Sequence, residues 1–152
     1  MLHIRRGRLD DLEAIERVES SCFRINRFER EVLIALLDQE GFHTWIAEDD
    51  HETLGYASIL RREDGPLRLL SIAVMPSSRE KGIGKNLLAR VKEYARAAGR
   101  SRISLEVRVS NVPAINLYLA SGYRIKGLLK DYYTKGKRGP EDALYMILDL
   151  ED

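Results

Sequence analysis

The chain has a single cysteine, Cys22, so no internal disulfide framework can hold it together; this fits a reducing compartment. It has no apolar run long enough to span a membrane and no N-terminal stretch with the layout of a signal peptide. A soluble cytoplasmic protein without a membrane partner is therefore expected. Charge of one sign is also missing. Lys plus Arg number 25 against 24 Asp plus Glu, a formal net charge of +1, which removes bulk attraction as a reason to bind nucleic acid. His3, His43 and His51 are scattered without metal-ligand spacing, so no metal is expected. There is no internal repeat, linker or low-complexity tract. What is present is 152 residues with 44% hydrophobic side chains spread along the whole length, which predicts one domain over 1–152 with a full core, monomeric or homodimeric.

Hydrophobic periodicity predicts the elements. Leu2-His3-Ile4-Arg5 alternates like a short edge strand. Asp10-Asp11 offers a helix cap, with Glu13 at capping-box spacing from Asp10, and Leu12, Ile15, Val18 and Cys22 follow at helical intervals. A second helix is predicted from Phe28 through Val32, Leu33, Leu36 and Leu37, ending before Gly41. Residues 44–47 and 54–60 read as strands joined by a polar turn, and Asp64-Gly65-Pro66 turns into a third strand, Leu67 to Val74. A long helix then runs to Gly99. Ile103, Leu105 and Val107 alternate with polar residues as a strand; a short helix spans about 112–121, and 123–129 and 143–150 read as two final strands. Strands clustered before the central helix predict antiparallel hairpins, and the helix between Val74 and Ile103 predicts one parallel crossover. The expected fold class is α/β (α+β): a single mixed, mostly antiparallel sheet of about seven strands with about four helices.

The crossover carries the most informative segment, Arg79-Glu80-Lys81-Gly82-Ile83-Gly84-Lys85. It follows the apolar strand and opens a helix whose Ile83, Leu87, Leu88, Val91, Tyr94, Ala95 and Ala98 share one face. A helix start leaves backbone N–H groups without intrahelical partners, glycines let a ligand approach them, and the helix dipole favours negative charge there. A phosphate or pyrophosphate suits this arrangement. Taken alone, an ordinary strand-to-helix loop reads the same way.

The element order, with Arg-x-x-Gly-x-Gly at its crossover, resembles the GCN5-related N-acetyltransferase (GNAT) superfamily over essentially the whole chain. Further on stand Leu105-Glu106-Val107-Arg108-Val109-Ser110-Asn111, Ala114-Ile115-Asn116-Leu117-Tyr118, Gly122-Tyr123, Asp131-Tyr132-Tyr133 and Glu141-Asp142-Ala143. This succession resembles the protein N-terminal acetyltransferase branch, in particular the ribosomal-protein alanine N-acetyltransferases (RimI-like) and their archaeal relatives. The resemblance implies acetyl-CoA as donor and co-substrate. Backbone N–H groups of Lys81, Gly82, Ile83, Gly84 and Lys85 would hold its pyrophosphate, with Arg79 and Glu80 on the same loop. Its pantetheine arm would run along Ile72-Ala73-Val74, where one N–H would stabilise the oxyanion. Asn111 matches the position that helps hold the pantetheine; it equally suits an N-cap before Val112-Pro113.

Acetylating an amine requires a free amine, a stabilised oxyanion and a proton for the departing thiolate. An α-amine with pKa near 8 loses its proton at pH 7 for roughly 1 kcal/mol, whereas a lysine near 10.4 needs about 4.6 kcal/mol. A weakly activating site therefore favours α-amines. By strand alternation Glu106 faces away from Ile103, Leu105 and Val107, as a solvated strand glutamate also would; the resemblance makes it the general base. Burial or a bridging water would have to assist it. On the short helix, Val112, Ile115 and Leu119 form the expected core stripe with Tyr118 at its edge, where tyrosines commonly just pack. The resemblance makes Tyr118 the acid.

The same resemblance places Phe28, in the segment between the first two helices, and Tyr132 and Tyr133, on a loop, around the substrate. That segment, Cys22-Phe23-Arg24-Ile25-Asn26-Arg27-Phe28, lacks the proline or tryptophan common in similar enzymes. Lys130, Lys135, Lys137 and Arg138 make the Tyr132–Tyr133 region basic. The expected partner is a protein or peptide N-terminus, a ribosomal protein among the possibilities. A small-molecule amine or polyamine acetyltransferase on the same fold is the alternative, and a non-catalytic acyl-CoA-binding module is a third reading that the pairing of Glu106 with Tyr118 argues against.

Overall fold

The computed structural model describes residues 1–22, 29–134 and 139–150. In chain order the strands are β1 (His3–Arg6), β2 (Phe42–Glu48), β3 (Thr53–Leu60), β4 (Leu67–Val74), β5 (Arg102–Arg108), β6 (Arg124–Tyr133) and β7 (Glu141–Asp149). The helices are α1 (Leu12–Cys22), α2 (Arg30–Leu37), α3 (Ile83–Ala97) and α4 (Val112–Ala120). One seven-stranded sheet forms in the order β1-β2-β3-β4-β5-β7-β6. Its neighbours are antiparallel except β4 and β5, which are parallel across the α3 crossover, as the element order predicts.

Apolar side chains fill both faces of the sheet. Leu87, Leu88 and Val91 of α3 pack on one face against Leu67, Ile103 and Leu105, all nearly inaccessible. On the other face Leu12, Ile15 and Val18 of α1 and Leu33 of α2 meet Ile46, Tyr56 and Ala73. α1 is also fixed by a buried polar contact. The Tyr56 hydroxyl donates to the Glu19 carboxylate and lies 2.8 Å from the Ser71 hydroxyl, joining α1, β3 and β4. A hydrogen bond to a charged group contributes about 1.5–3 kcal/mol.

Two local expectations are corrected, at α1 and α4, and α2 buries less than its apolar pattern offers. The start of α1 is not capped by Asp10: residues Leu9–Asp11 form a 3-10 turn, and the Asp11 carboxylate accepts from the Arg8 N–H at 2.7 Å and from the Arg5 guanidinium. That guanidinium holds the Asp11 carboxyl below its usual range. On α2 only Leu33 is fully buried and Val32 is exposed, because a helix this short covers one narrow stripe of the sheet. On α4, Val112 and Leu119 are exposed, at 55% and 45%, while Tyr118 is the buried residue at 7%. The core stripe is turned round the helix from its expected place, because the helix lies with its tyrosine toward the sheet and toward Tyr123, ring centroids 5.7 Å apart.

Strand β4 holds a register shift. Ser58 pairs with Ser71, but Ile59 pairs with Leu69, so Leu70 is extra. Because side chains alternate, one extra residue inverts the faces beyond it. Leu67 and Leu69 point to the α3 side, whereas Ala73 points to the α1 side. Close pairing of β3 with this end of β4 depends on Gly55, where a Cβ would lie 2.6 Å from the Ala73 carbonyl oxygen.

Candidate active site

The parallel strands β4 and β5 pair only at Leu67↔Ile103 and Arg68↔Ser104. Beyond Arg68 they part, while β5 stays paired with β7 along its whole length. The result is a fork. One prong is residues 69–74 of β4, including Ile72, Ala73 and Val74; the other is the second half of β5, with Glu106. The missing ladder leaves backbone groups on the inner edge of β4 available to something other than the neighbouring strand.

Past the tip of β4 the chain curls into the start of α3. Glu80 and Gly82 both have left-handed backbones, φ 66° and 79°, and nothing lies within 4 Å of where a Gly82 side chain would begin; conformation, not packing, requires that glycine. Gly84 has ordinary helical backbone and a close neighbour instead. Its Cβ would stand 3.0 Å from the Leu117 side chain of α4. The first turn of α3 has no acidic residue and no side-chain cap. Among the described residues no side chain caps its N–H groups, and Arg79, Lys81 and Lys85 stand exposed around it. This donor set suits a pyrophosphate. Arg79 Nε also donates to the Val74 carbonyl at 3.0 Å, tying the loop to the tip of β4. Cys22 Sγ donates to the same carbonyl at 3.3 Å, and burial raises its pKa, which makes it a poor nucleophile. Asn111 caps α4: its Oδ1 accepts from Ala114 N–H at 3.3 Å.

Glu106 projects on the α1 side of the fork with its side chain 13% exposed. Arg68 grips it: Nε and Nη2 donate to the same oxygen, Oε1, at 2.9 and 2.7 Å. Glu106 is therefore an ion-paired carboxylate, held through one oxygen. Tyr132 and Tyr133 do not lie on a loop. They end strand β6, where a register shift and a left-handed Asp131, φ 51°, turn the strand. The Tyr132 hydroxyl accepts from Arg68 Nη2 at 3.0 Å. The Tyr133 ring lies under the Arg108 guanidinium at 4.1 Å, and Arg108 Nη1 in turn donates to Glu141 Oε1 at 3.0 Å. Burial, and then the neighbouring Tyr132, push the Tyr133 hydroxyl up to about 12, so it stays neutral. Arg68 was not singled out by sequence reasoning. The signal is one cation inside Leu67-Arg68-Leu69-Leu70, an otherwise apolar strand. Phe28 and the basic residues Lys135, Lys137 and Arg138 lie outside the described residues.

Burial raises the pKa of Tyr118, and the nearby Tyr123 and Tyr133 add to the shift. Tyr118 and Tyr123 are both buried, and among the described residues the Tyr123 hydroxyl is enclosed without a partner. Substitution separates the roles of the two hydroxyls. Tyr118→Phe should lower kcat about tenfold to 100-fold, toward the modest end of general-acid effects, with peptide KM little changed. Tyr123→Phe should leave kcat alone and raise stability by about 1 kcal/mol in chemical denaturation, since it removes a buried unsatisfied group. A loss of stability without loss of turnover in Tyr118→Phe would leave that residue a packing role only.

The profile of the acetyltransferase (GNAT) family matches residues 11–123. A Bacillus subtilis (strain 168) protein provisionally named a ribosomal protein bS18-alanine N-acetyltransferase is 32% identical over 98% of this chain and 96% of its own length. An N-alpha-acetyltransferase of Sulfurisphaera tokodaii is 33% identical, covering 97% of this chain and 92% of its own. The crystal structure of the ribosomal-protein-S18-alanine N-acetyltransferase from Escherichia coli superimposes with a TM-score of 0.89 at 25% identity, over 100% of this chain and 96% of that one. The chain belongs to the acetyltransferase (GNAT) family and is an acetyl-CoA-dependent acetyltransferase.

Proposed function

We propose that this enzyme acetylates the α-amino group of a protein or peptide N-terminus, with Glu106 taking the amine's proton and Tyr118 protonating the departing thiolate. The observation that carries the reading is the fork: Glu106 stands on one prong opposite the free edge of β4, with the Tyr132 and Tyr133 wall beside it. When bound, acetyl-CoA supplies the activated acyl group. The chain's own part is to seat the pyrophosphate on the N–H groups of residues 81–85, lay the pantetheine along Ile72, Ala73 and Val74 with Asn111 beside it, and offer one β4 N–H to the oxyanion. The amine attacks the thioester carbonyl, the C–S bond breaks, and the proton lost from the amine goes toward the free Oε2 of Glu106, directly or through one water.

The acceptor class follows from two supports. Relatives that match over nearly the whole chain are named for protein N-termini, one of them for a ribosomal-protein alanine. The acceptor side also pairs Glu106 with Arg68 and Glu141 with Arg108, so these carboxylates give a polycation little net negative charge to bind. A panel of peptides varying only in their first residues, run beside an N-terminally blocked lysine peptide and a polyamine, tests this. Free N-termini should be acetylated with kcat/KM at least about 100-fold above both controls, in line with the roughly 3 kcal/mol lower cost of deprotonating an α-amine. Comparable rates on the polyamine would transfer the assignment to small-molecule amines.

A further inference from the structure

Arg68 occupies the last paired position before β4 and β5 part, between Leu67 and Leu69, which are 0% and 3% exposed. A guanidinium in such a strand must be held by partners. It has them from two other strands. Nε and Nη2 both reach Glu106 Oε1, and Nη2 also reaches the Tyr132 hydroxyl at 3.0 Å. Strand β6, which bears Tyr132, is separated from β4 in the sheet by β5 and β7. The contact therefore reaches across two intervening strands, to an end of β6 whose register against β7 shifts between Leu129 and Tyr133. Asp131, within that shift, is left-handed, and its N–H donates to Asp142 Oδ1 at 2.8 Å.

We infer that Arg68 is a positioning residue: it clamps Glu106 by one oxygen and the end of β6 by the same amino group, so that Oε2 faces the acceptor while the Tyr132–Tyr133 wall lies over the site. A planar fork of N–H donors does this where a lysine ammonium could not hold both partners in fixed directions. Without Arg68 the carboxylate would turn freely about its side-chain bonds, and the wall would lose its tie to the base. The inference rests on Glu106 taking the acceptor's proton.

A double-mutant cycle tests it. Arg68→Gln should lower kcat on a good peptide acceptor about 10- to 100-fold, the scale of a misplaced catalytic group, with the Kd for acetyl-CoA unchanged. In a Glu106→Gln background the same change should cost less than about threefold, because the residue acts through the carboxylate. Tyr132→Phe should raise peptide KM more than it lowers kcat, and Arg68→Lys should recover part of kcat while KM stays high. Additive losses in the cycle, or an equal fall in acetyl-CoA affinity, would reduce Arg68 to a structural ion pair. If Arg68→Gln does not fold, Arg68→Lys with Glu106→Gln reads the same coupling. Should Glu106→Gln alone leave turnover intact, the base assignment fails instead, and the Tyr132 effect on KM still reports whether Arg68 holds the wall.

Discussion

Glu106→Gln is expected to lower turnover by about 10²- to 10⁴-fold near neutral pH, the range that a positioned general base contributes. The substitution is close to isosteric. The amide oxygen can still accept from Arg68 where Oε1 does now, at 2.7 and 2.9 Å, so the fork and the end of β6 should keep their places. What is lost is the capacity of the second position to receive a proton, since an amide NH₂ donates. Arg68 is left without its counter-charge, but its side chain is 31% exposed and can draw on water. Stability should therefore change little, and acetyl-CoA should bind as before because the N-terminus of α3 is untouched. Steady-state kinetics with a peptide acceptor and calorimetric titration with acetyl-CoA separate these effects. Turnover within threefold of the parent would remove Glu106 from the chemistry.

Gly84→Glu is expected to weaken acetyl-CoA binding by on the order of 100-fold or more, as placing like charges together costs several kcal/mol. Side-chain bulk and charge both contribute, and a control divides them. Any side chain at this position meets Leu117, 3.0 Å from the new Cβ, so Gly84→Ala measures the packing adjustment alone. Gly84 is not among the residues with positive φ, and alanine gains roughly 1 kcal/mol over glycine in a helix, so that variant should fold and bind nearly normally. A carboxylate in the first turn favours the helix itself through the dipole. Lost affinity in Gly84→Glu therefore cannot be blamed on a melted α3, and it should ease as ionic strength rises. If titration gives the glutamate variant the same Kd as the alanine variant, the pyrophosphate does not sit at this helix start.

Much of the architecture is legible in periodicity alone. Alternation in 102–108 and the 3.6-residue spacing in 83–98 place a strand and a helix where they stand, and the single crossover follows from a helix lying between two strands. The errors share a cause. Val112, Ile115 and Leu119 are spaced as a stripe, but α4 is so apolar that its pattern does not say which side is buried; the sheet and Tyr123 settle that. The Tyr132–Tyr133 segment reads as loop because it lies among polar and glycine residues, yet pairing with β7 draws it into a strand.

The sequence by itself determined the elements, the glycine-opened helix and the motif residues through which the family is recognised, because these depend on local conformation and on side chains a few positions apart. Only the tertiary structure decided how β4 and β5 part, which side of α4 is buried, and that Arg68 grips Glu106 and Tyr132 from strands 38 and 64 residues away in the chain. A cation within an apolar strand announces that some partner must exist; the identity of that partner is set by packing between distant segments, which no local spacing encodes.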